Sequence, residues 1–528
     1  MFIGGLGSFG MLGGCAFDNG IFGSRAAADR QVFDYWCTWG VQNGLVREKA
    51  ANDPLKAAGE QGASAARDNL NAELIFGKNG WADYFPGRRA GLYMMLDDGW
   101  DVSTGQTKSR DISVFGSLEP DPVRFGVFGD TPAKRLYGIN AALRDRGWRG
   151  AGLWVSCQLP GDRYGAPFKL DERRRDALKR KVEASAAAGI GYWKVDWGVH
   201  HSNTEYRRAI SEVKNEVYPE LIVEHAPIGC GVFNHYDPAK GVGTGRLPAR
   251  VSEADLARLA FSDVIRIYDM LGPVEYASAV ERIAYYSRGA EQCGSSVVLN
   301  VEDNPVLGAV LGHAFGIMRY PRIGSAGSVV VGAKGIAEVE RAIAWRAHAP
   351  VYGADRSHPT LVSDERISAE YVFGEEGWFK AAWGKKVVQN APAALARGTP
   401  LPEVTTAGSA RPFVVASRHP NGALALGVLP PLGLGKADTP ATDVVFRSPV
   451  AAGVPFAVFG RTASVTVPSV GEIRRVFAED LAGGERHDIT GSVRRGGGAL
   501  TIDGETLARI GSESARDTSQ PGALVSFA

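Results

Sequence analysis

From about residue 33 to residue 348 the chain repeats one unit. A short apolar segment rich in aromatic and β-branched residues ends on a polar side chain, and a longer charged stretch with helical spacing follows. Strands are predicted at 33–40, 91–100, 151–158, 192–198, 220–226, 263–270, 295–303 and 325–333. Helices are predicted at 52–76, 131–147, 171–189, 203–218, 252–261, 273–288, 305–318 and 336–348, with Asp130 capping before Pro132, Asp171 paired with Gly189, Gly289 closing the sixth, and Asn304 before Pro305. Eight such pairs in roughly 310 residues constrain the fold strongly, because repeated right-handed crossovers of that number close into a (β/α)8 TIM barrel. A doubly wound open sheet is the competing arrangement, but no G-x-G-x-x-G or G-x-x-x-x-G-K-[ST] loop follows any strand.

Beyond residue 359 the period changes from 3.6 to 2. Short strands are predicted at 371–383, 413–429 with an Asn421-Gly422 hairpin turn, 444–467 and 472–477, with 524–528 as a closing strand after a polar stretch. The expected organisation is therefore a tail at 1–29, a barrel at 30–355, and an antiparallel β-sandwich at 356–528. Packing against the barrel is the first expected role of the β-region, and independent sugar binding the second.

The tail carries no charge before Asp18 and resembles the apolar core of an export signal, with residues 12–15 like a degraded lipoprotein box but no basic segment ahead of it. Export to a periplasmic, lipid-tethered or extracellular location is expected, against a frayed apolar tail. No stretch is long and apolar enough to span a bilayer. Lys and Arg total 59 against 58 Asp and Glu, which gives no long-range attraction for nucleic acid or an anionic membrane. Five cysteines, at 15, 37, 157, 230 and 293, show no metal-ligand spacing and leave at least one thiol free, so no metal or organic cofactor is expected.

Chemistry in such a barrel collects at the C-terminal ends of the strands. There the sequence places Trp36 and Trp39; Asp97 and Asp98; Gln158; Lys194 and Asp196; Glu224; Arg266 and Asp269; and Asn300, Glu302 and Asp303. Each has an ordinary explanation: a turn for Asp97-Asp98-Gly99, a helix cap for Asp269, a braced core strand for Lys194-Val195-Asp196. Together, carboxylates ending five of eight strands on one rim repel each other unless a ligand or a reaction accounts for them. Carboxylates that accept hydroxyl protons, with indoles to cover an apolar ring face, suit an oligo- or polysaccharide. Paired carboxylates serve glycosidic cleavage, one attacking the anomeric carbon and the other protonating the leaving oxygen. Lys194 beside Asp196 supplies the cation that favours a charged nucleophile. Carboxyl separations of about 5–5.5 Å give retention and roughly 6.5–9.5 Å inversion.

The segments L-D-D-G-W (96–100), W-K-V-D-W-G (193–198), V-E-H-A (223–226) and R-I-Y-D (266–269), in that order on strands two, four, five and six, resemble the α-galactosidase and melibiase group of retaining glycoside hydrolases. That resemblance implies a (β/α)8 barrel followed by an antiparallel β-domain. It also implies Asp196 as nucleophile, Lys194, Asp97 and Asp98 on sugar hydroxyls, Glu224 facing the 2-position, and an acid/base after the strand-six arginine. The family arginine precedes its acid by four residues, whereas Arg266 precedes Asp269 by three and follows Asp263. Asp269 is favoured because it ends the strand that Asp263 begins. The cysteine common after the family nucleophile is replaced by Trp197-Gly198. The implied substrate is a terminal α-galactoside or a related sugar such as a β-L-arabinopyranoside. A sugar-binding protein without catalysis and a barrel enzyme for a phosphorylated or carboxylated substrate are the rivals.

Overall fold

The structure, a computed structural model, describes residues 31–49, 59–101, 115–163, 165, 167–227, 236–237, 242–244, 247, 249–267, 275–321, 335–372, 384, 386–433, 439–514 and 519–528. Phe33–Ala528 form one compact unit. Its first half is a ring of eight parallel strands: β1 (Tyr35–Cys37), β2 (Tyr93–Leu96), β3 (Gly150–Val155), β4 (Tyr192–Val195), β5 (Ile222–His225), β6 (Val264–Arg266), β7 (Val298–Asn300) and β8 (Gly316–Ile317). β8 pairs with β1, and the ring closes through Ala314, whose carbonyl accepts from Val301 N at 2.8 Å and whose N–H donates to Leu299 O at 2.9 Å. The (β/α)8 expectation therefore holds.

The helices between strands start where short polar side chains take up otherwise unpaired N–H groups. Asp171 accepts from Arg174 N, Asn203 from Tyr206 N and Ser252 from Asp255 N, opening helices Glu172–Ala188, Thr204–Val217 and Glu253–Phe261. The cap of helix Pro132–Asp145 is Thr131 rather than Asp130. Gly189 ends the first of these helices in the left-handed region.

Four expected elements differ. The first helix begins immediately after β1, at Trp39–Lys49, and Gly59–Asp68 and Ala72–Phe76 follow it. Helix Glu275–Cys293 runs straight through Gly289, where a Cβ would meet Leu259 Cδ1 at 2.6 Å and Val251 Cγ1 at 3.0 Å. That glycine serves close helix packing, not termination. Helix Pro305–Leu311 stops early because Gly312 turns left-handed at φ 67°, and the eighth strand is Gly316–Ile317; residues 325–333 lie outside the described residues.

After helix Ile336–Trp345 the architecture changes to short strands. An eight-stranded sheet runs from Thr360–Val362 at one edge to His487–Asp488 at the other, and a five-stranded sheet lies beside it. Most strand pairs here are antiparallel, including the hairpin Phe413–Arg418 with Leu424–Leu429 around Gly422. The larger sheet is apolar on both faces for a reason. Ala394, Val414, Leu426 and Val458 fill the core between the two sheets, whereas Leu395, Val415, Ala425 and Phe459 join the core that extends from the barrel. Burying each large apolar side chain on either face is worth about 1.5–3 kcal/mol. The β-region also holds one helix, Gly504–Ile510, that periodicity alone did not suggest.

The long segment after β5 contributes the strands Tyr236–Asp237 and Val242–Thr244, and the second pairs in parallel with Lys386–Pro392. Part of the barrel thus completes a sheet of the β-region. Among the described residues no helix is long and apolar enough to cross a membrane. Residues 1–30, which carry the expected export signal, lie outside the described residues. Cys37, Cys157 and Cys293 are free thiols.

Candidate active site

Alternation along each strand sends one residue in two toward the barrel axis. On β4, Tyr192, Lys194 and, just beyond, Asp196 point inward, while Trp193 points out to donate to Ser185 Oγ at 3.0 Å. Strand register then sorts the inward groups into layers. Lys194 pairs with Glu224 on β5, so Asp196 stands one layer above both, at the C-terminal rim.

In the lower layer Glu224 is fully buried. Its Oε1 accepts from Tyr35 Oη at 2.8 Å, and its Oε2 from Tyr192 Oη at 2.7 Å and Asn300 Nδ2 at 2.6 Å. Burial raises its carboxyl above the usual range, with Arg266 and these donors offsetting only part of that. With both oxygens taken below the rim, Glu224 braces the barrel floor of the site.

The upper layer is a chain of alternating charges. Asp97 Oδ2 accepts from Cys37 Sγ at 2.9 Å and from Lys194 Nζ at 2.6 Å, and its Oδ1 accepts from Asp98 N at 2.8 Å. Burial works against the charge of Asp97, but Lys194 and the Cys37 thiol outweigh it and hold the carboxyl below its ordinary value. Lys194 Nζ also lies 3.3 Å from Asp196 Oδ2, and Arg266 Nη1 approaches the same oxygen at 3.4 Å. The other end of the guanidinium, Nη2, donates to Glu302 Oε1. On the far side Arg67 holds Asp98 Oδ2 at 2.8 Å and lies over the Phe115 ring, 4.8 Å from its centroid, with Phe115 edge-on to Trp197. Burial raises the Asp98 carboxyl, and Arg67 offsets that in part.

One pattern recurs in this layer. Asp98, Asp196 and Glu302 each have one oxygen on a cation, while Asp98 Oδ1, Asp196 Oδ1 and Glu302 Oε2 are buried with no hydrogen-bond partner among the described residues. Unpaired buried carboxylate oxygens are costly, and hydroxyl donors of a ligand would satisfy all three.

The loop beyond Asp196 depends on Gly198. Its φ is 143°, and a Cβ there would stand 2.6 Å from Ser156 Oγ and 2.8 Å from Cys157 N. The close crossing lets Trp197 O accept from Cys157 N at 2.8 Å. Arg207, from the helix after β4, donates to the carbonyls of Val195 at 2.9 Å, Asp196 at 3.1 Å and Ala226 at 2.9 Å, locking the ends of β4 and β5.

The sequence-derived residues therefore separate. Asp97, Asp98, Lys194, Asp196 and Arg266 converge on the rim. Trp39 is half-buried at the start of the first helix. Trp36 faces the helix layer instead, edge-on to Trp81 and Tyr84 with Nε1 donating to Arg319 O, because it lies between the inward residues Tyr35 and Cys37. This placement corrects its assignment to the substrate. Asp263 sits at the start of β6, where Oδ2 accepts from Val223 N at 2.9 Å and from Lys214 Nζ at 2.8 Å, which corrects its standing as the alternative acid/base. Asp269 lies outside the described residues. Glu302, already placed at a strand end by the sequence, joins the rim, and Arg67 and Trp197 complete it without having been singled out. Glu302 was visible as a strand-end carboxylate, whereas Arg67 comes from a helix far from any motif.

No protein-family model and no curated protein matches the chain. Among solved structures it is similar to α-galactosidase I from Mortierella vinacea (12% identity, 97% of this chain and 98% of that one, TM-score 0.36). It is also similar to a β-L-arabinopyranosidase from Geobacillus stearothermophilus (10% identity, 95% and 98%, TM-score 0.40) and to an α-galactosidase from Saccharomyces cerevisiae (10% identity, 94% and 96%, TM-score 0.36).

Proposed function

We propose that this chain is a retaining, exo-acting glycoside hydrolase for a terminal α-galactoside or a stereochemically related sugar such as a β-L-arabinopyranoside. The observation that supports the reading most is Asp196, whose Oδ2 is flanked by Lys194 and Arg266 while its Oδ1 is left buried and unpartnered among the described residues. A nucleophile needs that division, with one oxygen held and the other open to the reacting carbon. Asp98 and Glu302 repeat it, which suits a ligand with several hydroxyl donors and no negative charge.

In the first step Asp196 attacks the anomeric carbon, the exocyclic C–O bond breaks, and an acid, assigned to Asp269, protonates the leaving oxygen. In the second the same residue takes a proton from water, which attacks the glycosyl–Asp196 ester and frees the carboxylate. The double displacement needs no metal or organic cofactor. Asp97, Asp98 and Lys194 position hydroxyls.

A panel of nitrophenyl glycosides tests the reading, with NMR of the first-formed anomer. Hydrolysis of the α-galactoside or β-L-arabinopyranoside with net retention is expected, and Asp196→Asn should abolish turnover while retaining sugar binding. Near wild-type hydrolysis by that variant would refute the nucleophile assignment. Sugar binding with no turnover of any glycoside would make the protein a binding module.

A further inference from the structure

Glu302 stands two residues past the end of β7 and is 3% exposed, yet it occupies the left-handed backbone region at φ 55°. Side chains other than glycine adopt that conformation at a cost, so surrounding contacts must hold it there. They do. Glu302 N donates to Asn300 Oδ1 at 2.8 Å, and Glu302 Oε1 receives Arg266 Nη2, whose Nη1 faces Asp196 Oδ2. Asn300 in turn donates to Glu224 at 2.6 Å. The strained turn is therefore tied to the barrel floor below and to Asp196 alongside.

If Glu302 served only to brace Arg266, one carboxylate oxygen would suffice, and the other would turn to a donor of the protein. Instead Oε2 is buried without a partner among the described residues. We propose that Glu302 is a substrate-contacting specificity residue: Oε2 accepts a hydrogen bond from a ring hydroxyl of the bound sugar, while Oε1 fixes Arg266 beside Asp196. This rests on the glycosidase reading of the same site. A carboxylate accepts but does not donate, so Glu302 selects a hydroxyl at that ring position and repels a sugar carrying a carboxylate or phosphate there.

The test is a hydroxyl-by-residue cycle. D-galactose, L-arabinose and their monodeoxy analogues are titrated by calorimetry into the full chain, wild type, Glu302→Gln and Glu302→Ala, with folding checked by circular dichroism. On the wild type one monodeoxy analogue should bind about 10- to 100-fold more weakly than its parent, the range for a hydrogen bond to a charged group. On Glu302→Ala the same analogue and its parent should bind equally. Should Glu302→Ala fail to fold, Glu302→Gln keeps the shape, and the analogue's deficit should shrink several-fold. An analogue deficit identical on all three proteins overturns the proposal and leaves Glu302 as a brace for Arg266. If neither parent sugar binds the wild type, the glycosidase reading falls, and this inference with it.

Discussion

Arg341, in helix Ile336–Trp345, is fully buried and reaches from the barrel side into the β-region. Its Nε and Nη2 meet Asp480 Oδ1 and Oδ2 at 2.8 and 2.9 Å, and Nη1 donates to Gln520 O at 2.7 Å. Arg341→Leu removes three charge-assisted hydrogen bonds and strands a buried carboxylate, a change that costs about 3–5 kcal/mol in buried pairs. Asp480 keeps other donors, Ser514 N at 3.0 Å, Ser514 Oγ at 2.6 Å and Ala482 N at 2.9 Å, which places the expected loss near the lower end, about 3 kcal/mol. Asp480→Leu should cost a similar amount by orphaning the guanidinium. The double variant should lose much less than the sum, giving a coupling of about 2 kcal/mol or more. Urea unfolding followed by tryptophan fluorescence reads each loss as a shift in midpoint at constant slope. Burial opposes the charge of Asp480, but Arg341 and Ser514 outweigh it and hold the carboxyl below 3.8. The pair's contribution is therefore present above about pH 4 and lost as the pH falls through the lower folded value. A loss under about 1 kcal/mol for Arg341→Leu, or strict additivity in the double variant, would refute the idea that this pair joins the two parts.

Asp269→Ala should be rescued by azide or by substrates with good leaving groups, while Asp263→Ala should lose stability by about 1–2 kcal/mol, through Val223 N and Lys214, and keep its activity; azide rescue of Asp263→Ala instead would reverse the assignment. Gly198→Ala should lower both stability, by about 1–3 kcal/mol, and kcat, because its Cβ meets the Ser156–Cys157 backbone crossing beside Asp196; unchanged kinetics would show that the crossing does not position the site. Glu275 is pushed up to about 8 by burial, so its contribution is full below 4.5 and declines as the pH rises to about 8. Glu275→Gln should flatten the stability profile over that window, and identical profiles for the two proteins would exclude the effect.

Much of the site was legible in the chain because alternation is a local property. Lys194 and Asp196, two apart on an apolar strand, had to share a face, and Asp97 had to end its strand on the rim side. The cap Asp171 was legible for the same reason, since it acts within four residues of itself, whereas Asp130 gave way to Thr131 and Asn304 makes no side-chain cap bond. The same logic misplaced Trp36, whose neighbours Tyr35 and Cys37 took the inward face. It also missed β8, because a strand of two residues has no period to detect, and Gly312 cut short the helix before it.

What the sequence determined by itself is the eightfold strand and helix alternation, the change to period 2 near residue 359, and the side of each strand on which the charged groups lie. Those follow from backbone geometry and solvent partition acting over a few residues. What only the tertiary structure decided is height and partnership. Register between β4 and β5 set Glu224 a layer below Asp196, and a helix remote in sequence brought Arg67 to Asp98. Arg266 drew Asp196 and Glu302 onto one guanidinium. Period 2 distinguishes inside from outside but carries no information about depth along the barrel axis, which the stagger of neighbouring strands alone establishes.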